Sequence, residues 1–127
     1  MASHTIVHFE IPSDNIERAK KFYTELFGWK MEKMPGPMEY WTFSTISDTN
    51  GGEQQQNVNG GMMERQTPQQ SITNYIAVNS VADYSKKVES LGGKVKVPKT
   101  EVLNLGWFAI CTDTENNTFG LCETKVG

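Results

Sequence analysis

Residues 8–29 read HFEIPSDNIERAKKFYTELFGW, and this stretch predicts a β-strand that leads directly into an amphipathic helix. Because side chains alternate along a strand, the segment 5–11 has one apolar face and one mixed face. The apolar face consists of Val7, Phe9 and Ile11. The mixed face carries His8 and Glu10, a composition typical of a wall that lines a cleft or meets water. We therefore treat this strand as the first candidate for a functional surface.

The helix that follows has sequence signals at both ends. Asp14 is the expected N-cap, with Glu17 three positions later to help satisfy the first turn. Gly28 is the expected left-handed stop. An apolar stripe at helical spacing is formed by Ile16, Ala19, Phe22, Tyr23 and Leu26.

The same order of elements then occurs a second time. After the first helix, strands are predicted at 29–34, 40–47 and 60–64. The second set begins with a strand at 72–78 and a helix capped by Ser80, and it continues with strands at 94–97, 107–112 and 118–123. The pattern β-α-β-β-β repeats after about 67 residues, which suggests an internal duplication. We call residues 4–65 module one and residues 71–125 module two, within one domain covering 1–127. A Gly-, Asn- and Gln-rich loop is expected at 48–59.

Composition excludes several classes of partner. The chain has 127 residues with a net charge of -3, and no basic face is evident, so nucleic acid is an unexpected partner. No apolar run approaches the roughly 20 residues that a membrane helix needs. The N-terminal segment MASHTIVHFEIP lacks a secretion signal, and we expect a cytoplasmic protein.

Three segments resemble the vicinal-oxygen-chelate superfamily, which includes glyoxalase I, bleomycin-resistance proteins and extradiol dioxygenases. They are AKKFYTELFGW (19–29), YIAVNSVADYSKKVESLGGKV (75–95) and DTENNTFGLCE (113–123). The chain most resembles small proteins described as related to lactoylglutathione lyase. The resemblance implies an α+β fold in which two βαβββ modules form an open, curled mixed sheet around a ligand cleft. It also implies a homodimer.

In metal-dependent members of this superfamily, four positions supply His and Glu ligands to a divalent ion. The resemblance places the first at His8, fourteen residues before Phe22. The resemblance places the other three ligand positions on Gly60 or Gly61, on Thr73 and on Gly120. Glycine has no ligating side chain and a threonine hydroxyl is a poor ligand for such metals. We therefore expect no metal cofactor, with His8 the one family ligand retained.

Unconventional ligands are the alternative. Glu10 shares the face of His8, whereas Glu123 and Glu64 could contribute only in a different strand register. In that case Zn, Ni, Mn or Fe would be the cofactor. His8 itself has three possible roles, namely metal ligand, polar contact in the cleft, or a structural histidine.

Aromatic side chains on strands are the remaining candidates for contact with a ligand. The full predicted ligand-binding set is His8, Glu10, Trp41, Phe43, Tyr75 and Trp107. The aromatic members can equally fill the interior or pack against helices.

Three functions are compatible with these observations. The first is a metal-independent member of the superfamily that binds a small molecule. The second is a metal-dependent lyase, isomerase or dioxygenase of the glyoxalase I type with unconventional ligands. The third is a scaffold protein that uses the polar loop at 48–59. We favour the first, because the framework is intact while three ligand positions lack a suitable side chain.

Overall fold

The computed structural model describes residues 4–36, 39–45, 58–102 and 105–124. Within them the elements are β1 (Ile6–Ser13), α1 (Ile16–Phe27), β2 (Lys30–Lys33), β3 (Tyr40–Ser44), β4 (Asn59–Glu64), β5 (Thr73–Ala77), α2 (Val81–Ser90), β6 (Lys94–Val102), β7 (Gly106–Thr112) and β8 (Thr118–Thr124). The β-α-β-β-β order thus occurs twice, and the α+β class is confirmed. Most of the predicted polar loop at 48–59 lies outside the described residues.

The chain divides into two compact units whose bounds differ from those expected, and from here on module one and module two denote these units. Module one comprises His8–Ile72, and module two comprises Met1–Val7 together with Thr73–Gly127. The division falls inside β1. No helix in the described part of the chain is both long and apolar enough to cross a bilayer.

Module one contains a mixed four-stranded sheet with the order β2-β3-β4-β1. β1 runs parallel to β4, while β3 is antiparallel to both β2 and β4. The helix α1 provides the crossover that parallel pairing of β1 with a later strand of its module requires. The register places Glu10 beside Gly61 and Gly61 beside Thr42.

The start of α1 differs from the prediction. Asn15 is the N-cap, and its side-chain oxygen accepts a hydrogen bond from the Arg18 N–H at 2.9 Å. Asp14 instead forms an ion pair with the Arg65 guanidinium at 2.9 Å. Both residues are good caps by type, and the structure caps the helix with Asn15. The end is confirmed: Gly28 has a φ of 74°, in the left-handed region that glycine adopts without a steric penalty.

The core of module one lies between α1 and one face of the sheet. Ile11, Ile16, Phe43 and Met62 are buried there, and Phe9, Ala19, Tyr23, Trp29, Met31 and Trp41 pack around them. The predicted helix stripe is only partly buried, because Phe22 and Leu26 are 58% and 57% exposed. Val7, predicted on the apolar face of β1, is also exposed.

Module two repeats this arrangement with the strand order β5-β8-β7-β6, in which β5 and β8 are parallel. Ser80 caps α2 as predicted, because its hydroxyl accepts a hydrogen bond from the Asp83 N–H at 3.0 Å. The core contains Val78, Val81, Ala109, Cys111 and Leu121. A tight turn at 113–117 joins β7 to β8, and Asn116 has a φ of 68°, which asparagine tolerates better than most residues.

Candidate functional site in module one

The two faces of β1 have different surroundings. Phe9 and Ile11 point toward α1 and belong to the core of module one. Because strand side chains alternate, His8 and Glu10 lie on the other face, where both are half-buried. The prediction that these two residues share a face is confirmed by the core contacts of their neighbours.

Tyr40, at the start of β3, joins His8 to Glu10. Its hydroxyl lies 2.8 Å from Glu10 Oε2, to which it donates, and 3.0 Å from His8 Nε2. The three side chains thus form one hydrogen-bonded chain across strands β1 and β3, on the face opposite α1.

The direction of the hydrogen bonds assigns the histidine tautomer. A phenol has a single hydroxyl hydrogen, and Tyr40 uses it in the hydrogen bond that it donates to Glu10. The phenolic oxygen then accepts the hydrogen bond from His8, so Nε2 of His8 carries the hydrogen. The chain of hydrogen bonds therefore holds an imidazole, a phenol and a carboxylate in fixed orientations beside one another, where each can exchange hydrogen bonds with a bound molecule.

Burial lowers the pKa of His8 from its ordinary value of 6.5, and this effect exceeds the opposing attraction of the Glu10 charge. Removal from water penalises the charged imidazolium more than the neutral ring. Burial therefore favours the neutral form of His8.

Of the two candidates for the second family ligand position, Gly61 lies on the face of His8 and Glu10 and Gly60 lies on the other face. Gly61 is the register partner of Glu10, whereas the space above Gly60 is bounded by Phe9 and Phe43 on the α1 side. A Cβ atom on Gly61 would overlap the Tyr40 ring and hydroxyl. The volume that a ligating side chain at 61 would require is therefore filled by tyrosine.

Module two shows the same replacement at its own glycine. Gly120 is the register partner of Tyr75, and a Cβ on Gly120 would overlap the Tyr75 ring. Tyr75 is 7% exposed and its ring meets Phe108 edge-on at 6.5 Å. Thr73, the third family position, is buried.

The alternative carboxylates point elsewhere. Glu123 Oε1 accepts a hydrogen bond from the Val81 N–H at 2.9 Å, so this side chain caps the start of α2. Glu64 is exposed, and alternation along β4 places it on the side of Met62, which faces α1.

The residues present therefore do not fit the four-ligand set that the family implies. Two positions are glycines covered by tyrosine rings and one is threonine. Within residues 4–36, 39–45, 58–102 and 105–124, no three His, Cys, Asp or Glu side chains are grouped so as to hold a metal ion. Zinc sites ordinarily use at least three protein ligands.

Three of the predicted aromatic contacts lie on helix-facing surfaces. Phe43 is 3% exposed and stacks on Trp29, with ring centroids 5.0 Å apart. Trp41 lies beneath the Lys20 ammonium at 4.0 Å. Trp107 packs on the core of module two. The structure thus brings His8 and Glu10 together but places Trp41 and Phe43 on the opposite face of their sheet, and ligand contact by Trp41, Phe43, Tyr75 or Trp107 stays a prediction.

Tyr40 is the site residue that sequence reasoning missed. The available signal was alternation in β3, since Trp41 and Phe43 share one face and Tyr40 and Thr42 share the other. Assigning the more apolar pair to the helix side would have placed Tyr40 with His8 and Glu10.

Comparison with known proteins agrees with this fold. Residues 5–45 match the family model described as "Bleomycin resistance protein-like N-terminal". A glyoxylase-like domain-containing protein of Didymella fabae is 30% identical, with 93% of this chain and 91% of that protein covered. The chain belongs to the vicinal-oxygen-chelate superfamily. Within it, the chain is a glyoxalase- and bleomycin-resistance-like protein.

More distant similarities extend over most of the chain. The anthracycline biosynthesis protein DauV of Streptomyces sp. strain C5 is 29% identical over 93% of this chain, which spans only 46% of that protein. Among solved structures, the hypothetical protein BH1468 from Bacillus halodurans C-125 matches with a TM-score of 0.70 at 13% identity, covering 97% of this chain and 96% of the other. A variant of Streptomyces coelicolor methylmalonyl-CoA epimerase in complex with 2-nitronate-propionyl-CoA matches with a TM-score of 0.70 at 11% identity, covering 99% and 97%. At these identities the structural matches show the fold alone.

Proposed function

We propose that this protein binds a small organic molecule on the face of module one that carries His8, Tyr40 and Glu10, without a complete metal site. The observation that carries the proposal is the hydrogen-bonded chain linking these three side chains, at 3.0 and 2.8 Å. It includes the one family ligand position that retains a histidine. Half-buried polar groups that converge on one point are the usual means of orienting a small ligand.

The chemistry of this face favours a ligand with hydroxyl or carbonyl groups. An imidazole whose neutral form is favoured, a phenol and a carboxylate can all exchange hydrogen bonds with such a ligand. An anionic ligand would be opposed by the Glu10 carboxylate. The relatives named for anthracycline biosynthesis make an oxygenated aromatic polyketide a reasonable first probe.

The test is a thermal-melting screen of the purified protein without an affinity tag that binds metal. The panel contains an anthracycline aglycone, a neutral aromatic hydroxyketone, methylmalonyl-CoA and a glutathione thioester. A compound that raises Tm is then titrated by calorimetry against the wild type and Tyr40→Phe. Loss of one hydrogen bond to the ligand should weaken binding about tenfold.

Tyr84→Phe is the matched control, because the Tyr84 hydroxyl is also bonded to a histidine, His4 Nε2, at 2.9 Å. It should bind the ligand as the wild type does. Equal weakening by Tyr40→Phe and Tyr84→Phe, or no response to any compound, would count against the proposed site. In the second case a scaffold role becomes the better description.

The alternative remains a metal-dependent lyase, isomerase or dioxygenase that uses unconventional ligands. Elemental analysis of the untagged protein distinguishes it. Stoichiometric Zn, Ni, Mn or Fe that is lost in His8→Ala would overturn the metal-free proposal.

Self-association as a homodimer in the cytoplasm is a further part of this proposal. It is supported by family membership and by the exposed apolar side chains of α1, of which Phe22 is 58% and Leu26 57% exposed. Light scattering during size-exclusion chromatography gives the mass directly, and Phe22→Ser with Leu26→Ser should yield a monomer if this helix face forms the interface.

A further inference from the structure

Tyr40 occupies two places that a metal-binding member of the family would need. Its ring covers Gly61, so that no side chain fits there. Its hydroxyl lies between Glu10 Oε2 and His8 Nε2, at 2.8 and 3.0 Å. One residue thus fills the position of a missing ligand and bridges the two remaining candidates.

The hydrogen bonds also engage the atoms with which both candidates would face a shared cation. Nε2 of His8 and Oε2 of Glu10 both contact the Tyr40 hydroxyl, so a metal ion bound by these two atoms would have to replace that hydroxyl. His8 would also need its hydrogen on Nδ1, because a histidine ligates through a nitrogen that carries none. Metal bonds from nitrogen and oxygen are about 2.0–2.2 Å long, so each side chain would need to move by less than about 1 Å to bind a cation at the phenolic oxygen's position.

Module two supports the interpretation from a different direction. There a tyrosine ring again covers the glycine of the family position, Gly120, but the ring comes from β5, the first strand of that module. In module one it comes from β3. A tyrosine ring therefore covers the family glycine in each module, although the ring comes from a different strand in each.

We propose that Tyr40 is the residue that makes module one metal-free, because its hydroxyl occupies the place of a cation between His8 and Glu10. Replacing Tyr40 by a small residue and introducing a carboxylate at position 61 then creates a divalent-cation site. The ligands would be His8, Glu10 and the introduced glutamate. This inference does not depend on the small-molecule proposal, because its readout is metal binding by a variant.

The experiment compares the wild type, Tyr40→Ala/Gly61→Glu and the same double variant with His8→Ala. Each is freed of metal with a chelator, checked for folding by circular dichroism and titrated with Zn²⁺ and Ni²⁺ by calorimetry. We expect one ion per chain in the double variant, bound at least tenfold more tightly than by the wild type, and a rise in Tm of at least about 5 °C at saturation. Adding His8→Ala should abolish both effects.

A double-mutant cycle provides a second measurement in case the double variant does not fold. Gly61→Ala is made in the wild type and in Tyr40→Ala, and urea midpoints are compared. The substitution should lower the midpoint far more when the ring is present, because the added Cβ overlaps it. Equal losses in the two backgrounds, or a folded Tyr40→Ala/Gly61→Glu protein that binds metal no better than the wild type, would overturn the proposal. Metal binding that survives His8→Ala would overturn it as well.

Discussion

The hydroxyl of Tyr40 makes a measurable contribution to stability, which Tyr40→Phe isolates. The substitution keeps the ring over Gly61 and removes the hydrogen bonds to Glu10 at 2.8 Å and His8 at 3.0 Å. A bond to a charged group contributes about 1.5–3 kcal/mol and one to a neutral group about 0.5–1.5 kcal/mol. Because both partners are only half-buried, we take the lower ends and expect a loss of about 2 kcal/mol.

Urea unfolding followed by circular dichroism measures this loss, and thermal unfolding should show a Tm lower by about 6 °C for a domain of this size. Tyr84→Phe removes one exposed hydrogen bond, to His4, and should cost about 0.5 kcal/mol. The m-value should not change in either variant, since neither alters the surface exposed on unfolding. Equal losses in the two variants, or a loss below about 0.5 kcal/mol for Tyr40→Phe, would refute the assigned role of this hydroxyl.

Three further predictions concern pH, helix capping and the core. Burial holds the pKa of His8 below its ordinary 6.5, so the unfolded chain takes up a proton at this histidine before the folded chain does as the pH falls. The wild type should therefore lose more stability than His8→Gln between about pH 7.5 and 5.5, measured by urea unfolding at each pH. Equal losses in the two proteins would contradict this. Glu123→Ala removes the acceptor of the Val81 N–H at the start of α2 and should lower the free energy of unfolding by about 1 kcal/mol. Glu123→Gln keeps a side-chain oxygen acceptor, so its loss in the same assay should be smaller. Met62→Ala empties a fully buried site and should lower the free energy of unfolding, measured in urea, by about 3 kcal/mol. Met34 is partly exposed, and Met34→Ala should lower it by less than about 1 kcal/mol. Similar losses would mean that Met62 is not a core residue.

The order of elements followed from local signals in the sequence. Alternation predicted β1, the Ser80 cap predicted the start of α2, and Gly28 predicted the end of α1. These features depend on neighbouring residues, so they can be read without knowledge of the fold. The family resemblance added the pairing of two modules, and the relative at 30% identity confirmed the family.

Prediction was weaker wherever contacts between residues distant in the chain determine the local structure. Asp14 and Asn15 are equally good caps by residue type, so the sequence did not separate them; in the structure Asn15 caps α1 and Asp14 pairs with Arg65. Phe22 lies on the apolar stripe of α1 but outside the contact with the sheet. A helical stripe shows which side chains are apolar, whereas packing determines how wide a strip is covered.

The sequence by itself determined the two βαβββ modules and the pairing of His8 with Glu10 on one strand face. The family resemblance placed Gly60 or Gly61, Thr73 and Gly120 at ligand positions, for which these residue types are unsuitable. Those properties depend on residue type and on periodicity along a short segment. The tertiary structure decided that Tyr40, 32 positions from His8, fills the space above Gly61 and links the two polar residues. The register of β1, β4 and β3 brings these side chains together, and strand register is a property of the whole sheet rather than of any one strand.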